Sequence, residues 1–184
     1  MVLMRWMTYG FATTFLLASI ADAVAADEPD PFDQFNERCL NRGTDFQRTV
    51  AVAKERDWPA LAEDMTTSLV PMENPVALEG WNLSAGEDVP FRALVVARAS
   101  VGDNTVESCT MAFAEIDAAA FERRLVSETH AKASGEGNGQ GRARKFFKAS
   151  SPERREAITL DLPLYPNGSD EVIVSVVSDQ QIEN

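Results

Sequence analysis

Cys39 and Cys109 are the two cysteines of this 184-residue chain, and they predict one particular chemistry. A single pair allows a single connectivity, and the bond would close a loop of 70 residues. Neither cysteine belongs to a C-x-x-C motif and the chain has one histidine, so a thiol-based metal or redox site would lack partners. We therefore predict a structural disulfide, which forms in an oxidising compartment. The alternative is a catalytic or metal-binding thiol.

Basic residues cluster in one part of an otherwise acidic chain. The sequence holds 17 lysines and arginines against 29 aspartates and glutamates, a net charge of −12. We call residues 142–155 the basic segment; its cations are Arg142, Arg144, Lys145, Lys148, Arg154 and Arg155. Such a cluster predicts binding to an anionic partner, namely an envelope protein, a cell-wall polymer or anionic head groups. The alternative is a sheet-edge strand whose cations guard the edge and pair with the protein's own acids.

Charge and motif content exclude several other functions. A net charge of −12 argues against a nucleic-acid binder, because neutralising phosphates needs a basic face. The sequence has no G-x-S-x-G, S-x-x-K, H-E-x-x-H or Walker A pattern. His130 is the single histidine, and we expect it at an exposed helix end, where a cation suits the helix dipole. The sequence therefore predicts no catalytic residue, no metal site and no cofactor.

Glycine alternates with other residues from Gly135 to Gly141. The spacing lacks the G-x-G-x-x-G pattern of dinucleotide sites, and the stretch leads into the basic segment instead of a capped helix. Small polar residues without an apolar alternation are typical of loops. We therefore predict a flexible loop or hairpin tip over residues 134–142.

The first residues have the layout of a secretory signal peptide. Arg5 precedes an uncharged stretch that ends at Ala21, and Ala23-Val24-Ala25 matches the small-x-small cleavage pattern. We predict a cleaved signal peptide over residues 1–25 and a single domain over residues 26–184, located in the periplasm or outside the cell. A bilayer span needs roughly 20 apolar residues. Since no other segment is long and apolar enough, we predict no transmembrane span in the mature protein.

Two periodicities divide the mature chain. Asp30 and Asp117 are predicted helix N-caps, and Cys39 lies on the apolar stripe of the first helix. The predicted helices cover 31–42, Thr44 or Asp45 to Arg56, a short segment from Asp57, and Asp117 to just before His130. The predicted strands cover 76–83, 91–101, 105–114, 144–149, 157–162 and 171–177.

Segregated runs of helices and strands are typical of an α+β fold. We predict N-terminal helices packed on a largely antiparallel five- or six-stranded sheet, with one further helix between the strand groups. Cys109 alternates with Met111 and Phe113 on one face of its strand. The disulfide would therefore join the first helix to that face of the sheet.

Taken together, these features favour an exported, non-catalytic binding or interaction protein that contacts an anionic partner through the basic segment. Two alternatives stay open. One is a small envelope hydrolase that uses carboxylates, or Ser/Thr with His130. The other is an inhibitor or immunity-type protein that acts on a basic enzyme through its acidic surface.

Overall fold

The computed structural model describes residues 29–41, 44–84, 86, 89–102, 104–139, 141–150 and 155–179. The predicted signal peptide, residues 1–25, lies outside these ranges, and so does Arg154 of the basic segment. The domain boundary at residue 26 therefore stays a prediction. Within the described ranges, no helix has both the length and the apolar character needed to cross a bilayer.

Short helices make up the helical part of the described chain. Helix α1 spans Pro31–Phe35 and runs into a π-helical turn at Asn36–Leu40, while α2 spans Phe46–Glu55, α3 spans Glu63–Ser68 and α4 spans Ala118–Thr129. The carboxylates of Asp30, Asp45 and Asp117 accept backbone N–H hydrogen bonds of 2.8–2.9 Å in the first turns of α1, α2 and α4. These caps confirm the predicted starts of the three helices.

The third helix begins later in the chain than predicted. Asp57 adopts a positive φ of 50°, which ends the helical path after α2. Ala60 then forms an antiparallel bridge with Trp81, and the N–H of Leu61 donates to the carbonyl of Gly80 at 2.9 Å. The chain is extended at this point, so α3 begins only at Glu63.

Seven antiparallel strands form one sheet in the described part of the chain. The strands are β1 Ala77–Asn82, β2 Arg92–Val101, β3 Asn104–Ile116, β4 Lys132–Gly139, β5 Arg142–Ser150, β6 Arg155–Pro163 and β7 Asp170–Asp179. Their order across the sheet is β1-β2-β3-β7-β6-β5-β4. The predicted α+β fold with a five- or six-stranded sheet is therefore wrong, because the molecule is mostly one larger sheet with few, short helices.

The strand that sequence reasoning missed is β4, which covers most of the segment 134–142 predicted as a flexible loop. Glycine carries no apolar side chain and is depleted in strands, so no local pattern marked this strand. It forms because β5 supplies a hydrogen-bonded ladder, in which Gly137 lies opposite Arg144. The loop prediction is thus corrected to an edge strand followed by a tight turn at Gly141, whose φ is 77°.

One face of the sheet packs against α1, α2 and α4, and we call it the helix face. Its centre is aromatic, because the ring of Phe121 in α4 meets those of Phe32, Phe35 and Phe113 at centroid distances of 5.9, 6.2 and 5.8 Å. Such tilted and edge-on ring pairs add to the free energy gained from burial. The hydrophobic core therefore lies between the helices and the middle of the sheet.

The predicted disulfide is confirmed. Cys39 in the π-helical turn is bonded to Cys109 in β3, and both residues are fully buried on the helix face. The bond joins the first helical segment to a strand near the middle of the sheet. A buried disulfide is compatible with an extracellular or periplasmic protein.

The opposite face of the sheet is covered only in part. Helix α3 packs against β1 so closely that a Cβ on Gly80 would lie 2.6 Å from Oγ1 of Thr66, and this approach requires glycine. Farther across the sheet the covering ends, and the side chains of Arg144 and Phe146 on β5 are 57% exposed and 39% exposed, respectively. We call the side of β4, β5 and β6 that points away from the helix face the open face.

A buried carboxylate anchors α2 to the sheet. Glu107 of β3 is 1% exposed, and its Oε1 accepts from Nε and Nη2 of Arg98 at 2.9 and 2.6 Å. Its Oε2 accepts from the backbone N–H of Phe46, at the start of α2, at 3.4 Å. The Arg98 guanidinium in turn lies over the Phe46 ring, 5.3 Å from its centroid. One carboxylate therefore connects two strands and a helix N-terminus.

Removal of the disulfide should destabilise the fold by about 4 kcal/mol, the chain-entropy value for a loop of 70 residues. The variant is Cys39→Ala with Cys109→Ala, which avoids burying new hydroxyl groups. The free energy of unfolding is measured by urea titration, and wild type with a reductant provides a second test. A midpoint that neither the variant nor the reductant lowers would contradict this prediction.

Glu107→Ala should lower the free energy of unfolding by about 3 kcal/mol, because it leaves the guanidinium of Arg98 half-buried without its carboxylate. The matched control is Glu79→Ala on β1, which removes the same charge from an exposed position. The control should change the free energy by less than about 0.5 kcal/mol. Thermal and urea unfolding of both variants provide the comparison, and equal losses would show that the buried pair has no special role.

Candidate functional site

Strand β5 divides the basic segment between the two faces of the sheet. Side chains alternate along a strand, so Arg144, Phe146 and Lys148 belong to the open face while Lys145 and Phe147 point to the helix face. Phe147 is part of the core. The Nζ of Lys145 donates to both carboxylate oxygens of Glu122 in α4, at 2.6 and 2.8 Å. Lys145 therefore lies apart from the open-face cations and fastens α4 to the sheet.

Two arginines on the open face share one carboxylate. Arg144 donates from Nε and Nη2 to Oδ2 of Asp161, at 3.2 and 2.9 Å, and Nε of Arg142 donates to Oδ1 of the same residue. The Nη2 of Arg142 also donates to the backbone carbonyls of Asp161 and Glu171, at 3.0 and 2.9 Å. The Asp161 side chain is only 12% exposed. A second carboxylate, that of Glu171, lies 3.9 Å from Nη1 of Arg142, so the two arginines face two acids, and Arg144 shares its only described carboxylate with Arg142.

Lys148 and Arg155 occupy another part of the open face. Neither forms an ion pair with any residue in the described ranges. Together they border a shallow cavity of about 370 Å³ whose floor includes Val106, Ala157 and Val177, and Glu156 also lines it without forming an ion pair with either cation. A cationic border on an apolar floor suits a partner that presents both negative charge and apolar surface.

Glycines of β4 form a trough beside the arginine pair. Cβ atoms built on Gly135 and Gly137 would lie 3.7 and 4.0 Å from the ring of Phe146, so this ring borders the space that strand side chains would occupy there. The trough has a volume of about 480 Å³ and is lined further by Gly139, Arg144 and Asp161. It therefore combines a bare backbone floor, an aromatic wall and a guanidinium group.

A second groove continues from the trough towards the middle of the sheet. It has a volume of about 340 Å³ and one wall made by the end of α3 and the chain that follows it, residues 68–73. Its floor includes Thr159 and Ser175, and it shares Arg144 and Phe146 with the trough. The open face thus presents a continuous depression that crosses several strands.

His130 and the acidic residues do not assemble a comparable site in the described ranges. His130 is exposed at the C-terminal cap of α4, with a positive φ of 54°. No side chain or backbone group of the described residues hydrogen-bonds to its ring, and no cluster of three or more His, Cys, Asp or Glu side chains there could hold a metal ion.

Sequence reasoning located the cations but missed their surroundings. Asp161 is separated from Arg144 by 17 residues, and only the pairing of β5 with β6 brings the two residues opposite each other. The glycine trough was missed because its strand was read as a loop. One signal was available, since a lone aspartate inside the apolar run Ile158–Leu162 is costly to bury without a cationic partner.

Asp161→Asn should lower the free energy of unfolding by about 2 kcal/mol, because two guanidinium groups would then face each other without a shared charge. The matched control is Glu171→Gln, whose exposed carboxylate lies 3.9 Å from Arg142. That control should change the free energy by less than about 0.5 kcal/mol. Urea unfolding at two salt concentrations measures both variants, and an Asp161→Asn variant as stable as wild type would contradict the assigned role.

Comparisons with known proteins assign no family to this chain. No protein-family model, curated protein or solved structure matches this chain. Its function must therefore be inferred from the geometry and charge of the open face.

Proposed function

We propose that the protein is an exported, non-catalytic binding protein that engages an anionic partner through the open face. The observation that carries this proposal is the position of Lys148 and Arg155, which border an apolar floor without a carboxylate partner among the described residues. Charged side chains that stay unpaired beside apolar surface favour association with a complementary surface.

The distribution of charge supports the same proposal. The chain as a whole carries a net charge of −12, yet Arg144, Lys148 and Arg155 project from one face of two adjacent strands, β5 and β6. A local positive region on an acidic protein attracts anions at short range while the remaining surface repels them. This arrangement favours a partner whose negative charges are confined to a small area.

The environment of His130 gives no comparable support to a hydrolase. Catalysis by a hydroxyl group with histidine needs a base within hydrogen-bond reach of the nucleophile, and His130 lies exposed at a helix end, outside the cavities described above. The titratable groups that converge on the open face, Arg142, Arg144 and Asp161, are engaged in ion pairs with one another. Binding is therefore the function that the observed geometry supports best.

An exported location is consistent with this function. The predicted signal peptide over residues 1–25 would direct the chain to the periplasm or the cell exterior, and the Cys39–Cys109 bond is stable in such a compartment. The anionic partners available there are acidic proteins, cell-wall polymers and phospholipid head groups, and these define the probes of the test.

The test measures retention of the oxidised protein on poly-L-glutamate, on peptidoglycan sacculi and on phosphatidylglycerol vesicles. We expect retention on at least one of them, and it should weaken as salt rises because exposed charges are screened. Lys148→Gln with Arg155→Gln should weaken the retention about tenfold, since each exposed ion pair contributes up to about 1 kcal/mol.

The matched control is Lys54→Gln with Arg123→Gln, which removes two exposed cations from α2 and α4 on the other side of the molecule. Its retention should equal that of wild type. Equal weakening in both double variants would reduce the effect to net charge and contradict the proposal. Absence of retention on all three probes would contradict it as well.

A further inference from the structure

The two edges of the sheet differ in their backbone hydrogen bonding. The outer edge of β1 is paired, because Asn82 donates its N–H to the carbonyl of Pro59 and Leu61 donates to Gly80, both at 2.9 Å. At the other end of the sheet, β4 has β5 on one side and no further strand on its outer side within the described part of the chain. No described residue outside the sheet forms a backbone hydrogen bond with β4, and the N–H and C=O groups of an edge strand can pair with a further strand.

Devices that protect an edge lie mainly at one end of β4, and within Gly135–Gly139 the one charged side chain is Glu136, opposite Lys145 on the helix face. Lys132 places a charge at the start of the strand, and the register with β5 shifts between Ala133 and Gly135. A bulge and a lysine both discourage pairing by another strand. From Gly135 to Gly139 the register is regular, so a length of five residues stays suitable for pairing.

The glycines make this length accessible to side chains as well as to backbone. An added strand would lie about 4.8 Å from β4 and roughly 10 Å from β5. Side chains at Gly135 and Gly137 would normally stand between the added strand and β5. Because they are missing, a side chain of the added strand can reach across β4 to the ring of Phe146 and the guanidinium group of Arg144.

Charge at the trough selects the kind of side chain that reaches across. Arg144 shares the carboxylate of Asp161 with Arg142, whereas Arg142 also lies 3.9 Å from the carboxylate of Glu171, and the Arg144 side chain is more than half exposed. A carboxylate from the added strand would give the exposed guanidinium group of Arg144 an acid of its own, while an apolar neighbour two residues away would meet the Phe146 ring. A lysine or arginine at the same position would be repelled.

We propose that the outer edge of β4, at Gly135–Gly139, binds an extended segment of a partner polypeptide as an additional strand, with a glutamate or aspartate facing Arg144. This inference rests on the proposed function and names its partner class as an acidic peptide. Backbone hydrogen bonds along the edge supply affinity, and the glycine trough supplies specificity through alternate side chains.

The probe is a capped nine-residue peptide with glutamate at its centre, valine two residues before and after it, and threonine elsewhere. Fluorescence anisotropy of the labelled peptide measures its dissociation constant for the oxidised protein. Replacing the central glutamate by lysine should weaken binding at least tenfold. Methylating one set of alternate backbone nitrogens should abolish binding and methylating the other set should not, because one edge of a strand faces β4.

Gly137→Val tests the trough without threatening the fold. The φ of Gly137 is not in the left-handed region, a Cβ there makes ordinary contact with Phe146, and valine favours strands. The variant should weaken peptide binding at least tenfold. The control is Asn138→Val, whose side chain points to the other face of the same strand, and it should bind the peptide like wild type.

The two proposals fail in different ways. Strand addition is supported if Gly137→Val loses the peptide but keeps the retention on anionic probes that depends on Lys148 and Arg155. If Gly137→Val binds the peptide normally, or if both methylated peptides bind alike, strand addition is wrong while the proposed function stands. Slower amide exchange at Gly135–Gly139 on binding would support the inference. A dimer of this chain that Gly137→Val disrupts would overturn it, because the occupant would be a second copy.

Discussion

The bond between Cys39 and Cys109 attaches the first helical segment to the helix face of the sheet. It holds the segment after α1 against β3, and the apolar residues of the neighbouring strand β7, Val172, Val174 and Val176, are fully buried on that same face. The helices are too short and too few to cover the whole sheet. On the side opposite the helix face, α3 and the chain after it do not extend over β4, β5 and β6. The open face is therefore a consequence of where the helices are attached.

The parts of the fold that could be predicted from sequence are those whose signal is local. Aspartate caps mark helix starts because the capping side chain and its N–H partners lie within three residues. The alternation of Cys109, Met111 and Phe113 with smaller or polar residues marks a strand, because the larger apolar side chains all lie on its helix face. Strand β4 gave no such signal, since its pairing depends on β5 and its glycines carry no pattern. The sequence therefore predicts too few strands and the wrong fold class.

The candidate site shows the same division between local and distant information. The cluster of cations is visible in the sequence, and the period of two would already separate Lys145 from Arg144 and Lys148 once β5 is recognised as a strand. What sequence reasoning could not supply is the register between β5 and β6, which places Asp161 opposite Arg144. The register of the strands decides whether a cation meets an acid. Composition alone therefore does not distinguish a face that binds a partner from a sheet edge whose cations pair with the protein's own acids.

The glycines of β4 lower the stability of this edge strand. A glycine inside a strand costs roughly 0.5–1 kcal/mol relative to alanine, and β4 carries three of them on one face, at Gly135, Gly137 and Gly139. The ring of Phe146 covers two of these glycines and recovers part of that cost through contact. The part of this free-energy cost that is not recovered weakens β4. The strand also has a single neighbouring strand among the described residues, so we expect it to be the least stable strand of the sheet. A partner that pairs with its outer edge would order this strand further, so binding and the local stability of the edge are coupled.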